Sequence, residues 1–160
     1  MQQQIDTLVV AGVGLIGGSF ALALKRAGRV RRVIGVGRTL ANLERALALG
    51  VVDEISQDIA AAAPRADLVL LASPVGQMGA LMAALAPGLR PGAIVTDGGS
   101  TKSDVAALYR RHLPDHLPWC VPAHPIAGSD MSGAVAAQYG LYENRRVVLT
   151  PLAETAPEAA

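Results

Sequence analysis

Leu8-Val9-Val10-Ala11-Gly12-Val13-Gly14-Leu15-Ile16-Gly17-Gly18-Ser19 is the stretch of this 160-residue sequence that predicts its fold. Its apolar start is typical of a buried strand, and its glycines form the pattern G-x-G-x-x-G. We expect Gly12 to allow a tight turn, Gly14 to leave room for a pyrophosphate, and Gly17 to let a helix pack closely on the strand. The stretch therefore predicts dinucleotide binding. The alternative is a glycine-rich strand–helix corner that binds no nucleotide.

Composition excludes several classes of partner. Hydrophobic residues make up 51% of the chain and charged residues 17%, as in a globular domain with one full core. The net charge of +1 gives no strong field that would attract nucleic acid. Cys120 is the only cysteine, so no internal disulfide can form, which fits a reducing compartment. We expect no metal site.

The sequence predicts no contact with a membrane. The uncharged run from Leu8 to Leu24 is too short and too rich in glycine for a membrane span. The first residues lack the basic region of a signal peptide. We therefore expect a cytoplasmic protein.

Apolar runs alternate with helical patterns along the rest of the chain. Five strands are expected near residues 7–11, 32–36, 68–72, 94–96 and 120–123, with a small edge strand at 51–55 and a last strand at 146–150. Helices are expected over residues 20–27 with a glycine stop at 28, over 40–49 and 59–63, from after 75 to about 85, and over 103–112.

This alternation predicts an α/β fold, a doubly wound, mostly parallel sheet of the Rossmann type with helices on both faces. In such sheets the ligand lies beyond the carboxyl ends of the strands. Residues 1–151 are expected to form the dinucleotide-binding domain. Residues 152–160 are expected to be a tail or the start of a truncated second domain.

Position 37 bears on the choice of dinucleotide. NAD-binding domains usually carry Asp or Glu about 20 residues beyond the last glycine of the motif, to hold the ribose 2′-hydroxyl. This chain has Gly37 there, followed by Arg38 and Thr39. A guanidinium and a hydroxyl without a carboxylate favour NADP over NAD. The alternative is that Arg38 is a solvated arginine that stacks on adenine.

Two loops at predicted strand ends carry the remaining chemistry. The first runs from Asp97 through two glycines to Ser100, Thr101 and Lys102, where Ser100 and Thr101 could also cap a helix. The second begins with His124, which is fixed by a proline and followed by small residues, and is a candidate general base. The other two histidines, 112 and 116, are expected to be solvated.

At this point the sequence resembles the prephenate/arogenate (cyclohexadienyl) dehydrogenase family of tyrosine biosynthesis. The resemblance rests on four stretches in the family's order: 12–19, 97–102, 124–129, and 141–144 running into 149–151. It implies NAD(P)-dependent oxidative decarboxylation of prephenate or arogenate. His124 would accept a proton or a hydrogen bond from the ring hydroxyl while a hydride passes to the nicotinamide. Ser100 would lie between His124, that hydroxyl and the cofactor.

The expected site residues follow from the motifs and from the resemblance. The cofactor is expected to contact Gly12, Gly14, Leu15, Ile16, Gly17, Gly37, Arg38, Thr39, Ser73, Pro74, Val75 and Asp97. The catalytic residues are expected to be His124 and Ser100. The substrate is expected to contact Ser100, Lys102, His124, Ser129 and Asp130.

The chain departs from the family in two respects. Asp130 stands where many relatives have glutamate. The family also has a second, helical domain that forms the homodimer and supplies cationic residues for the substrate carboxylates, and this sequence ends at Ala160. Prephenate and arogenate therefore both remain open as substrates. The alternatives are another Rossmann dehydrogenase or reductase, such as a hydroxyacid dehydrogenase or an imine reductase, and a nucleotide-sensing domain without catalysis.

Overall fold

The computed structural model describes residues 4–125, 137, 141 and 147–160 of the chain. The strands are β1 Ile5–Ala11, β2 Val30–Val36, β3 Glu54–Ser56, β4 Leu68–Leu71, β5 Ile94–Asp97, β6 Cys120–Val121, β7 Ala123–Pro125 and β8 Val147–Leu149. The helices are α1 Leu15–Arg26, α2 Leu40–Ala48, α3 Ile59–Ala62, α4 Val75–Leu85 and α5 Lys102–His112.

Six strands form one sheet in the order β3-β2-β1-β4-β5-β6, and every neighbouring pair in it is parallel. β1 lies between β2 and β4, so Val9 pairs with Ile34 on one side and Val69 on the other. The predicted α/β fold with a parallel central sheet is confirmed. Because the order reverses between β1 and β4, the switch point lies at the carboxyl end of β1, where the glycine motif begins.

Alternate residues of β1 face two different hydrophobic layers. Val9 and Ala11 pack in a core with residues of α3, α4 and α5, while Leu8 and Val10 pack in a second core with residues of α1 and α2. All four side chains are buried. A strand buried on both faces needs a continuous apolar run, which explains the composition of the first stretch.

The chain leaves the sheet earlier than expected, at Pro122. The strand expected over 120–123 ends at Val121, because a proline has no N–H to continue the ladder. Ala123 instead begins β7, which pairs antiparallel with β8 in a separate two-stranded sheet. The last expected strand is therefore present over Val147–Leu149, outside the main sheet.

Two other segments complete the described fold, the edge strand β3 and residues 151–160. The edge strand β3 begins at Glu54 because Val51 and Val52 are buried beneath the helices instead. Residues 151–160, all described, form turns that pack onto the sheet: Leu152 is buried in the core of α4 and α5, and Thr155 Oγ1 donates to the carbonyl of Cys120 at 2.7 Å.

Candidate functional site

The glycine motif forms a tightly packed turn between β1 and α1. Gly12 has a φ of +97°, and a Cβ there would lie 2.8 Å from the carbonyl carbon of Ala72. A Cβ on Gly17 would lie 2.2 Å from the carbonyl oxygen of Gly12. The structural reasons expected for these two glycines are therefore confirmed. Gly14 has a φ of −127°, so its predicted role, making room for a pyrophosphate, stays a prediction.

The start of α1 is open to an anion. Its N-cap is Gly14, which has no side chain to cap the first N–H groups, and the first turn contains no acidic residue. The positive end of the helix dipole, with no acidic side chain beside it, favours a phosphate at this position.

A cleft of about 730 Å³ lies beyond the carboxyl ends of β1, β2 and β4. Among the expected cofactor residues it is lined by Gly12, Gly14, Gly37, Arg38, Ser73 and Pro74. The other expected residues are not part of this lining: Leu15, Ile16, Gly17, Thr39, Val75 and Asp97. Of these, Leu15 and Gly17 are buried in the packing of α1, and Thr39 is the exposed N-cap residue of α2.

Several residues of the cleft were not predicted from the sequence. Gln57 and Asp58 follow the short edge strand β3, and Gln77 and Leu81 lie one turn apart on α4. Gln57 Nε2 donates to the carbonyl of Arg38 at 2.9 Å, which fixes the backbone on the β2 side of the cleft. The signal that could have found Gln57 was its place after a third parallel strand, at the same edge of the sheet.

The hydroxyl of Ser73 is a buried polar group in the cleft. Its Oγ has no hydrogen bond within the described part of the chain. Buried polar atoms are nearly always satisfied, so an orphaned hydroxyl in a cleft is a place where a ligand would bond. Together with the glycine turn, which a Cβ would fill, it fits a dinucleotide bound across the switch point.

Asp97 ends β5 and is almost completely buried, at 1% exposure. Its Oδ2 accepts from the N–H of Gly99 at 2.8 Å and from Lys102 Nζ. Its Oδ1 accepts from the hydroxyl of Tyr109 at 3.1 Å and from the N–H of Ala123 at 3.4 Å. The carboxylate expected to contact the cofactor is therefore surrounded by donors of its own chain.

The structure brings the expected catalytic residues to one edge of the sheet. Ser100 is exposed in the loop between β5 and α5, and Thr101 is the N-cap of α5 without a side-chain bond. His124 is half-buried on β7, directly after Ala123. Ser129 and Asp130 lie outside the described residues.

The expectation that both remaining histidines are solvated is wrong. Both are half-buried, and Nε2 of His116 lies 2.5 Å from the carbonyl oxygen of Ala93. Within the described ranges, no three His, Cys, Asp or Glu side chains are placed to hold a metal ion. No helix among the described residues is long and apolar enough to cross a membrane.

Comparison with known proteins matches this chain to one family. The family described as prephenate dehydrogenase, nucleotide-binding domain, matches residues 20–160. A prephenate dehydrogenase of Bacillus subtilis (strain 168) is 38% identical over 160 residues, which cover 99% of this chain and 43% of that protein.

Two solved structures are similar over nearly the whole chain. Prephenate dehydrogenase from A. aeolicus, in complex with hydroxyphenyl propionate and NAD+, superposes with a TM-score of 0.91 at 32% identity, covering 99% of this chain and 55% of that one. Synechocystis arogenate dehydrogenase superposes with a TM-score of 0.85 at 34% identity, covering 95% and 52%. The chain thus spans about half the length of the relatives it matches.

Proposed function

The chain belongs to the prephenate dehydrogenase family, through its nucleotide-binding domain, and from that premise we propose that it works in an NAD(P)-dependent oxidative decarboxylation of prephenate or arogenate. The observation that carries the proposal is one sheet edge with two features. It combines a dinucleotide-sized cleft at the switch point with His124 beside the loop that follows β5.

The residues of the cleft would hold the cofactor by its charged and polar parts. The N–H groups at the start of α1 would take the pyrophosphate. Ser73 Oγ, with Pro74 and Val75, would line the nicotinamide side. Arg38 is exposed at the cleft, and no carboxylate occupies position 37, so we propose that the cofactor is NADP in preference to NAD.

When bound, the dinucleotide supplies the acceptor for a hydride. His124 would take the proton of the substrate's ring hydroxyl while the hydride leaves the same carbon. Carbon dioxide then leaves from across the ring, and the oxygen recovers a proton as the ring becomes a phenol. Aromatisation supplies most of the driving force, so orientation of the reactants and polarisation of the hydroxyl are the main tasks of the protein. Ser100 would bond to the same hydroxyl.

The remaining expectations stay proposals. Ser129 and Asp130 would contribute to the substrate site directly, and Lys102 would support it through its bonds to Asp97 and the carbonyl of Ala123. Since relatives are about twice as long as this chain, we propose that a segment like their other half completes the substrate site and forms a homodimer. We also propose that the enzyme is cytoplasmic.

The test is a titration followed by a turnover assay. NADP+ and NAD+ are titrated into the chain by calorimetry, and then prephenate and arogenate are each added to the longest form of the protein that contains this chain, while reduced nicotinamide is followed by its absorbance. His124→Asn is expected to lower kcat by roughly 10²–10⁴-fold, the usual contribution of a positioned acid–base group. The dissociation constant of the cofactor should hardly change, because every residue that lines the cleft precedes β5 in the sequence and His124 is not among them.

His112→Asn is the matched control, since His112 is also half-buried but lies at the end of α5, away from the cleft. Its kcat should remain that of the wild type. If that longest form binds the cofactor but turns over neither substrate, the alternative of a nucleotide-binding domain without catalysis holds. A near-normal kcat for His124→Asn on folded protein would end the catalytic assignment.

A further inference from the structure

We infer that Asp97, Lys102 and Tyr109 form a positioning unit for His124 that acts through the backbone of Ala123. The inference rests on the proposed function, because it gives His124 its importance. These three side chains come from the end of β5 and from the first and eighth positions of α5. They meet the chain just where it leaves the main sheet.

The unit forms hydrogen bonds to both backbone polar groups of Ala123. The N–H of Ala123 donates to Asp97 Oδ1 at 3.4 Å, and its carbonyl accepts from Lys102 Nζ at 2.6 Å. Pro122 has ended the ladder of β6, so these side chains act where the main sheet no longer does. Fixing both peptide groups of Ala123 sets the direction in which the next residue, His124, leaves the backbone.

Tyr109 holds the carboxylate from behind. Its ring is fully buried and its hydroxyl donates to Asp97 Oδ1 at 3.1 Å. Burial, reinforced by the negative charge of Asp97, holds the pKa of Tyr109 well above its ordinary value, so the hydroxyl keeps its proton and remains a donor. With Gly99 and Lys102 on the other oxygen, the carboxylate has little freedom to rotate.

The geometry favours positioning over direct binding by these residues. The side chain of Asp97 has no exposed surface and that of Lys102 only 19%. The charges of the pair offset each other, and Lys102 already donates to two oxygens. A role in binding substrate would not explain why Asp97 also bonds to Tyr109 and Ala123, whereas positioning explains every bond of the unit.

The chain contains a matched control, because its only other lysine makes the same pattern of bonds elsewhere. Lys25 Nζ donates to the carbonyl of Gly50 at 3.0 Å and to Asp53 Oδ1 at 2.8 Å. Oδ2 of the same aspartate accepts from a backbone N–H, that of Val33, at 2.9 Å. Lys25→Met therefore removes an equivalent lysine pair remote from β7.

The experiment compares Lys102→Met with Lys25→Met by NMR on the whole chain. We expect Lys102→Met to speed hydrogen exchange of the Ala123 amide at least tenfold and to shift or broaden the ring signals of His124, assigned through His124→Asn. Lys25→Met should leave both signals as in the wild type. In the turnover assay Lys102→Met should lower kcat about tenfold or more with KM within about twofold, whereas a substrate-binding lysine would raise KM.

Tyr109→Phe keeps the ring and removes one donor, and serves if Lys102→Met does not fold. It should change the same two NMR signals in the same direction, by less. Unchanged His124 and Ala123 signals in the folded variants, or equal changes in Lys25→Met, would overturn the inference. The proposed function has its own outcome, because the NMR signals require no turnover: a near-normal kcat in His124→Asn ends the catalytic assignment whatever Lys102→Met does.

Discussion

The carboxyl edge of the sheet has two halves that are built in opposite ways. Beyond β1, β2 and β4, the chain leaves a cleft, a glycine turn and a buried Ser73 hydroxyl with no partner among the described residues. Beyond β5, the carboxylate of Asp97 is surrounded by four donors of the same chain. The first half, here called the open half, leaves room for a ligand. The second, the closed half, is filled by contacts within the chain. Substitutions should therefore affect ligand binding in one and internal order in the other.

The largest effect is expected on the free energy of unfolding, from a substitution in the packed glycine turn of the open half. Gly17→Ala places a Cβ 2.2 Å from the carbonyl oxygen of Gly12, and backbone cannot move aside as a flexible side chain would. We expect a loss of about 3 kcal/mol in the free energy of unfolding, at the upper end for overpacking. Urea denaturation measures it.

Gly76→Ala is the control for that substitution, because a Cβ on Gly76 of α4 meets no heavy atom within 4 Å. Its stability should be unchanged or higher, since alanine favours a helix over glycine. If Gly17→Ala is as stable as Gly76→Ala, the glycine turn is not packed too tightly to accept a Cβ, and the proposed rigidity of this turn is wrong.

The next effect concerns cofactor choice in the open half. Gly37→Asp introduces a carboxylate that can accept from a ribose 2′-hydroxyl and repels a 2′-phosphate. A Cβ at Gly37 lies 3.3 Å from Cδ2 of the buried Leu43, so that side chain has to shift by a few tenths of an ångström. We expect the ratio of the NADP+ and NAD+ dissociation constants to shift towards NAD by about tenfold or more.

Calorimetric titration of both cofactors measures this shift, and Gly37→Asn controls for size without charge. An equal shift in Gly37→Asn would mean that volume decides the preference. Tighter binding of NAD+ by the wild type would show that Arg38 does not select NADP.

A pH effect is expected in the closed half. Burial, with the charge of Asp97, raises the pKa of Tyr109 in the folded chain, while the unfolded chain releases this proton near the ordinary value of about 10. The stabilisation is therefore present below about pH 10 and is lost as the pH rises above it. At about pH 11 the wild type should have lost about 1 kcal/mol or more of the advantage that it has over Tyr109→Phe at about pH 8.

Denaturation of both proteins across this pH range isolates Tyr109, since every other group titrates in both. A constant difference between the wild type and Tyr109→Phe would mean that Tyr109 ionises in the folded chain as easily as in the unfolded one. The closed half would then be open to water.

The two halves also differ in how far the sequence predicts them. The open half is encoded locally. Gly12 and Gly17, which form its turn, are five positions apart in the sequence, and the apolar runs around them indicate the strands. Its missed residues, such as Gln57, follow an edge strand of three residues that no periodicity marks clearly.

The closed half is encoded by contacts between distant residues. Asp97 meets Tyr109 across 12 positions and Ala123 across 26. In the sequence, Tyr109 is one apolar residue on a helix, and nothing local distinguishes it from core packing. The exit at Pro122 is visible as a proline, but its consequence, the start of β7, depends on a strand that follows more than 20 residues later. His124, Asp97 and Lys102 were therefore predicted as site residues, whereas Tyr109 and the bonds of Asp97 and Lys102 to the backbone of Ala123 were not.

The smallest effect, and the sharpest contrast, is expected from Ser73→Ala. The hydroxyl of Ser73 is buried and makes no bond within the described chain, so its removal should leave the free energy of unfolding unchanged or raise it by up to about 1 kcal/mol. If the cofactor supplies the missing partner, its dissociation constant should rise by roughly 3- to 10-fold, the value of one hydrogen bond of about 1 kcal/mol. Thr155→Val is the counterpart, because the Thr155 hydroxyl donates to Cys120 and accepts from the N–H of Leu152. It should lower stability by about 1 kcal/mol and leave cofactor binding unchanged. Were Ser73→Ala to destabilise the chain as Thr155→Val does, with no change in cofactor binding, the hydroxyl would serve the fold and the two halves of the edge would not differ as argued.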